Sequence, residues 1–142
     1  MGEMRKDRRR YLTQDELARL MTTARAGRYG QRDATLILIM ARHGMRVSEA
    51  IDLEWDQIDF TRAHLHVRRL KGGIASVHPI QGDELRALRE LRRTTKGAFV
   101  FESERGGPMT RSNVAKMIEA AGLRAGLPMP IPTCCVIPVG IC

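Results

Sequence analysis

Apolar residues recur at helical spacing near the start of the chain. Leu17, Leu20, Met21 and Ala24 fall on one face, the recurrence of an amphipathic helix. Thr13 and Glu16 upstream have the spacing of a capping box, with Leu12 and Leu17 placed as a hydrophobic staple. Gly27 and Gly30 mark the loop that follows. Asp33 opens a second helix through Leu36, Ile37, Leu38, Ile39 and Met40. It is apolar nearly all round, the mark of a buried central helix, and Gly44 is placed as its C-terminal cap. A short helix over residues 47–53 carries Glu49, and Trp55, Ile58 and Phe60 pack its exit.

The period then changes to two. Leu65, Val67 and Arg69 alternate with His64, His66 and Arg68, a strand pattern. Lys71, Gly72 and Gly73 form a turn, where glycine supplies the positive φ of a tight hairpin, and Val77 and Ile80 lie on the returning strand. Residues 83–93 read as a basic amphipathic helix that buries Leu85, Leu88 and Leu91. Residues 98–101 read as a third short strand and 104–108 as a turn. Thr110 caps a last helix through Val114, Met117, Ile118 and Ala121, stopped by Gly122. From Leu127 the pattern ends. Pro128, Pro130, Pro132 and Pro138 break any helix or central strand, and Cys134, Cys135, Val136 and Ile137 are apolar without periodicity. The expected fold is mainly α with a small antiparallel β-sheet. Residues 1–10 form a basic arm, 11–130 the domain, and 131–142 an unstructured tail.

Composition narrows the function. A chain of 142 residues fits one domain, and a hydrophobic content of 43% excludes a disordered chain. Lysine and arginine total 24 against 16 acidic residues, a formal charge of +8. That balance favours a polyanionic partner, nucleic acid before membrane, although a solvated basic surface gives the same sum. No apolar stretch follows the charged residues 1–10, so no signal peptide is read. The longest apolar run, 36–41, is too short to span a bilayer. A soluble cytoplasmic protein is expected. Cys134, Cys135 and Cys142 form no disulfide framework, and no second ligand cluster supports a zinc site.

The order of motifs is more specific than any one of them. A buried helix ends in Gly44-Met45-Arg46-Val47-Ser48-Glu49-Ala50. A Leu-x-Trp-x-x-Ile segment follows at 53–58, then a strand ending in Leu70-Lys71-Gly72 and a returning strand. With Tyr11-Leu12-Thr13 at the first helix start, this order resembles the tyrosine recombinases, or phage integrases, and within them the short type that inverts fimbrial promoters. The resemblance covers residues 9–130. It implies an integrase catalytic domain, here incomplete, that cleaves, exchanges and rejoins duplex DNA through a 3′-phosphotyrosine, with no metal or nucleotide cofactor. Double-stranded DNA and other recombinase protomers are the implied partners.

The resemblance also implies roles. Arg46 resembles the first catalytic arginine, whose guanidinium can clamp two non-bridging oxygens as charge builds on them. Glu49 lies one helical turn on and can steady it, or it is an ordinary exposed helix glutamate. Lys71, at the hairpin tip, matches the lysine that protonates the leaving 5′-oxygen. His66 and His78 lie on the two strands and face DNA or serve as structural histidines. Arg68, Arg69, Arg86, Arg89, Arg92 and Arg93 can meet phosphates, or in part only solvate their faces. Arg111 and Asn113 open the last helix, whose N-terminus can hold a phosphate.

Two features depart from the family. Its second motif, His-x-x-Arg followed by His or Trp and then the nucleophile, has no match after Gly126, and the only tyrosines, Tyr11 and Tyr29, precede Arg46. DNA binding without recombination is therefore expected. The tail suggests why. Back-translated and shifted by one base, the Cys134–Cys135 junction always encodes Leu. Its neighbours permit His-Met-Leu-Arg-His-(Ser/Pro/Thr)-Cys-Gly-Tyr, the missing box, which places a frameshift between about residues 129 and 133. Without the later helices, the apolar faces at 36–40 and 114–118 are expected to be partly exposed. Three readings follow: a decayed recombinase fragment, a DNA-binding protein or regulator without catalysis, and an unrelated basic helical module.

Overall fold

The computed structural model of the protein describes residues 12–67 and 76–127. Helix α1 spans Gln14–Arg25, and its start is built as the spacing implies. Glu16 N–H donates to Thr13 Oγ1 over 3.2 Å, and Thr13 N–H donates to Glu16 Oε1 over 3.0 Å. Helix α2 spans Gly30–His43 and closes on Gly44, whose φ of 64° is the left-handed value that favours glycine. The helix begins three residues before the expected Asp33. Its first turn is held against α1 by close backbone approach, for a Cβ on Gly30 would lie 1.8 Å from the Arg25 carbonyl oxygen.

Helix α3 is short, Val47–Ile51, with Arg46 as its N-cap. A 3-10 turn at Trp55–Gln57 leads into strand β1, Ile58–Asp59. Strand β2 spans His64–Val67 and β3 spans Ser76–Pro79. The three strands form an antiparallel sheet in the order β1-β2-β3, with Ile58 opposite Leu65 and Leu65 opposite His78. Leu65 and Val67 are buried and His66 is exposed, as the alternation requires. On β3 the alternation runs against hydropathy. Val77 points outward, 52% exposed, while His78 is half-buried.

Helix α4 spans Gly82–Thr94 and α5 spans Arg111–Ala125. Leu88 and Leu91 of α4 are buried and Leu85 is half-buried. Glu84 is buried with them, fully inaccessible. Helix α5 is capped by Thr110 as expected, with Asn113 completing the capping box, but Gly122 lies inside it, and Gly126 at φ 74° closes it one turn later. The expected third strand at 98–101 is not one. That segment makes two backbone bonds to the chain at 53–55, Trp55 N–H to Ala98 O and Val100 N–H to Leu53 O, before the 3-10 turn at 55–57 carries that neighbour away. The third strand of the sheet is β1 instead.

One core joins these elements. Helix α1 packs on α2 and α5, and α2 packs on α3 and α4. Leu36, Ile37, Ile39, Met40, Val114 and Ile118 are all fully buried. The expectation of exposed apolar faces at 36–40 and 114–118 is therefore corrected. Among the described residues, no helix is long and apolar enough to cross a membrane. The basic arm 1–10, the hairpin tip and the tail from 128 onward lie outside the described residues.

Candidate functional site

Arg46 follows directly on the close of α2. Gly44 turns the chain in the left-handed conformation, buried Met45 anchors it, and the exposed Arg46 then caps α3. The backbone N–H of Arg46 donates to Glu49 Oε1 over 2.9 Å. Glu49 thus fixes the peptide that presents the guanidinium, which is a more direct support than side-chain proximity alone. An exposed arginine on a turn so tightly specified can meet an oxyanion without first losing much backbone freedom.

Beneath this turn lies a polar network that sequence reasoning missed. Arg42 Nη1 donates to Glu84 Oε2 over 3.0 Å and to Asp83 Oδ1 over 3.2 Å, and Arg42 Nη2 reaches Asp83 Oδ2 over 3.2 Å. The hydrogen bond from Arg42 holds the Asp83 carboxyl below its ordinary range, and the same bond raises Arg42. The other Glu84 oxygen is hydrogen-bonded to His43 Nε2, whose side chain is 4% exposed. His43 Nδ1 faces His78 Nδ1 at 3.1 Å, and His78 Nε2 lies 3.0 Å from Ser76 Oγ. A signal for the network was available. Glu84, Leu88 and Leu91 share one helical face, and a carboxylate on a core face demands a partner.

The other sequence candidates are distributed. His66 is exposed on β2, and its carbonyl accepts from Gln57 Nε2 over 2.8 Å. His78 turns toward α2 rather than outward. Arg111 is exposed at the start of α5, where the Asn113 side chain accepts from Thr110 N–H over 3.1 Å. Asn113 also lines a cleft of roughly 720 Å3 with Arg28, Arg32, Arg105, Lys116 and Arg124. That cleft meets α2 at Arg32 and Asp33 in its first turn, whereas Arg46 follows the helix end, so the ten helical residues 34–43 lie between them, about 15 Å at 1.5 Å per residue. Within the cleft Asp33 pairs with Arg32 at 2.7 Å, yet burial outweighs that pairing and raises its carboxyl. On α4, Arg92 lies over the Trp55 ring and Arg89 over Phe60, so both also serve packing. Arg68, Arg69 and Lys71 lie outside the described residues. Among the described residues, no group of three or more His, Cys, Asp or Glu could hold a metal ion.

The domain is mainly helical with a small antiparallel sheet, and it presents an exposed arginine at a helix N-cap. Residues 10–133 match the phage integrase family, and the chain belongs to that family. It is 39% identical over 126 residues to the type 1 fimbriae regulatory protein FimE of Escherichia coli (strain K12). That match covers 84% of this chain and 64% of FimE, so the chain spans under two thirds of that relative. The fold is also that of the crystallised XerA recombinase, with a TM-score of 0.73 and 26% identity over 89% of this chain and 46% of XerA. A lambda integrase dimer bound to a COC′ core site shares the fold, with a TM-score of 0.72 and 21% identity over 89% of this chain and 37% of the integrase chain.

Proposed function

We propose that the chain is the leading part of the catalytic domain of a site-specific DNA recombinase and that these 142 residues bind duplex DNA without cutting it. The observation that carries the reading is Arg46, exposed at the N-cap of α3 with its amide held by Glu49. In the family reaction a tyrosine oxygen attacks phosphorus and the 5′-oxygen leaves with a proton. Arg46 is the group that meets charge building on the non-bridging oxygens. Lys71 is the proton donor to the 5′-oxygen. The attacking group is what this chain does not supply, since Tyr11 and Tyr29 both precede Arg46. Arg68, Arg69, His66 and Arg111 are proposed as contacts to the DNA backbone. A protein with this role belongs in the cytoplasm, and further recombinase protomers are its natural protein partners.

The tail fits a shift of reading frame between about residues 129 and 133. The family match ends at Thr133 while the chain runs on to Cys142, and codons for the intervening cysteines permit a Leu-Arg-His run in the neighbouring frame. Reading the coding DNA beyond Pro130 in all three frames tests this. A stop codon before any tyrosine, or no His-x-x-Arg box, overturns it.

Covalent trapping tests the catalytic half of the proposal. Incubated with nicked duplex substrates, the chain is expected to retard the DNA on a native gel and to leave no adduct after denaturation. An adduct through Tyr11 or Tyr29 would show that the chain carries its own nucleophile.

A further inference from the structure

We propose that His78 is a positioning residue, donating from Nδ1 to His43 and so tying the end of α2 that delivers Arg46 to the strand leaving the hairpin of Lys71. With both imidazoles neutral, the hydrogen-bond chain has one direction. Glu84 accepts from Arg42 Nη1 at 3.0 Å and from Gln81 N–H at 3.2 Å through Oε2, as a carboxylate does. Its other oxygen therefore accepts from His43 Nε2–H. A neutral imidazole with its proton on Nε2 has a bare Nδ1. The facing nitrogen, His78 Nδ1 at 3.1 Å, must then carry the proton. That leaves His78 Nε2 bare, and Ser76 Oγ–H donates to it over 3.0 Å. Each polar atom in the run has the partner its neighbours require.

The geometry also says why a histidine stands there. On β3 the inward position at 78 is polar while apolar Val77 is turned out, 52% exposed. An aliphatic side chain at 78 would pack against α2 but leave His43 Nδ1 buried without a donor, which costs free energy. The tie spans three elements. Glu84 comes from α4, Arg42 and His43 from α2, and Ser76 and His78 from β3. His43 precedes Arg46 by three residues, and β3 follows the hairpin of Lys71. Among the described residues, the charged groups in contact with the pair's network are Glu84 and Arg42, with Asp83 behind Arg42. The role assigned to this tie rests on the reading of Arg46 and Lys71 above; the direction of the hydrogen bonds does not.

Long-range proton–nitrogen spectra of the histidine rings in the full chain test the proposal without DNA, so its failure and a failure of DNA binding are separate results. At pH 8 the expected tautomers are Nε2–H for His43 and Nδ1–H for His78. Amide exchange at Met45, Arg46 and Val47 is read alongside. His78→Asn keeps a donor near the Nδ1 position and is expected to retain wild-type protection. His78→Val is expected to lose roughly tenfold, the equivalent of one buried hydrogen bond. The proposal is overturned if His78 carries its proton on Nε2 at pH 8, or if the valine and asparagine variants exchange alike. Should the valine variant not fold, the wild-type tautomers decide.

Discussion

Glu49 Oε1 accepts the backbone N–H of Arg46 over 2.9 Å, so the carboxylate one turn along α3 fixes the peptide from which the exposed guanidinium projects. The bond satisfies one of the donors a helix N-terminus leaves open. Glu49→Ala is expected to cost about 1 kcal/mol of stability, the usual worth of a capping interaction, and to weaken DNA binding further by loosening Arg46. Glu49→Gln keeps an acceptor in place and is expected to retain most of both. Urea denaturation and DNA titration of the two variants check this. Equal losses in both would show that the charge, and not the cap, is what matters.

The corner between α1 and α2 admits no side chain. A Cβ on Gly30 would sit 1.8 Å from the Arg25 carbonyl oxygen and 2.5 Å from its carbon, both backbone atoms that cannot swing away. Gly30→Ala is expected to destabilise the chain by at least 1–3 kcal/mol, roughly the scale of forced overpacking. Gly107→Ala, with nothing within 4 Å of the added atom, serves as the control and should stay within about 0.5 kcal/mol of wild type. Thermal melts of the two variants make the comparison.

Two aspartates pull stability in opposite directions with pH. Asp83 is held below its ordinary range by the hydrogen bond from Arg42. Its contribution is present above the unfolded value of about 3.9 and is lost as pH falls through the lower folded one. Asp33 is raised by burial. Its charged form therefore costs stability above the folded value, and the cost is relieved as pH falls toward the unfolded one. As pH rises from about 2 to 7, Asp83→Asn is expected to fall behind wild type below about 4 and Asp33→Asn to gain on it above about 4. Denaturation midpoints measured across that range, with both variants shifting in the same sense, would contradict these assignments.

Much of the helical frame was legible because capping residues and period agree. Thr13 with Glu16, Thr110 with Asn113, and Gly44 each do in the fold what their spacing implies. Periodicity says less about where a helix must be glycine for the sake of a neighbour, and so Gly30 and Gly122 were read as boundaries although both lie inside helices. Strand β1 is two residues long, too short for any alternation to register. The exposed-face expectation failed, for Leu36 and Ile118 are completely buried in one core to which α1, α2, α4 and α5 all contribute. At the site, the turn of Arg46 and Glu49 could be read from a local motif. The His43–His78–Glu84 tie could not, for it joins residues 35 and 41 positions apart, a proximity only the folded chain creates.

The central claim is that this chain meets duplex DNA through phosphates, with Arg46 among the contacts. Titration of a labelled duplex over a salt series, with wild type and Arg46→Ala side by side, addresses it most directly. The logarithm of the binding constant is expected to fall linearly with the logarithm of salt concentration, by about 0.9 for each phosphate neutralised. Arg46→Ala should bind more weakly and with a slope smaller by about one such unit. Binding that ignores salt, or a variant indistinguishable from wild type in both affinity and slope, would contradict it.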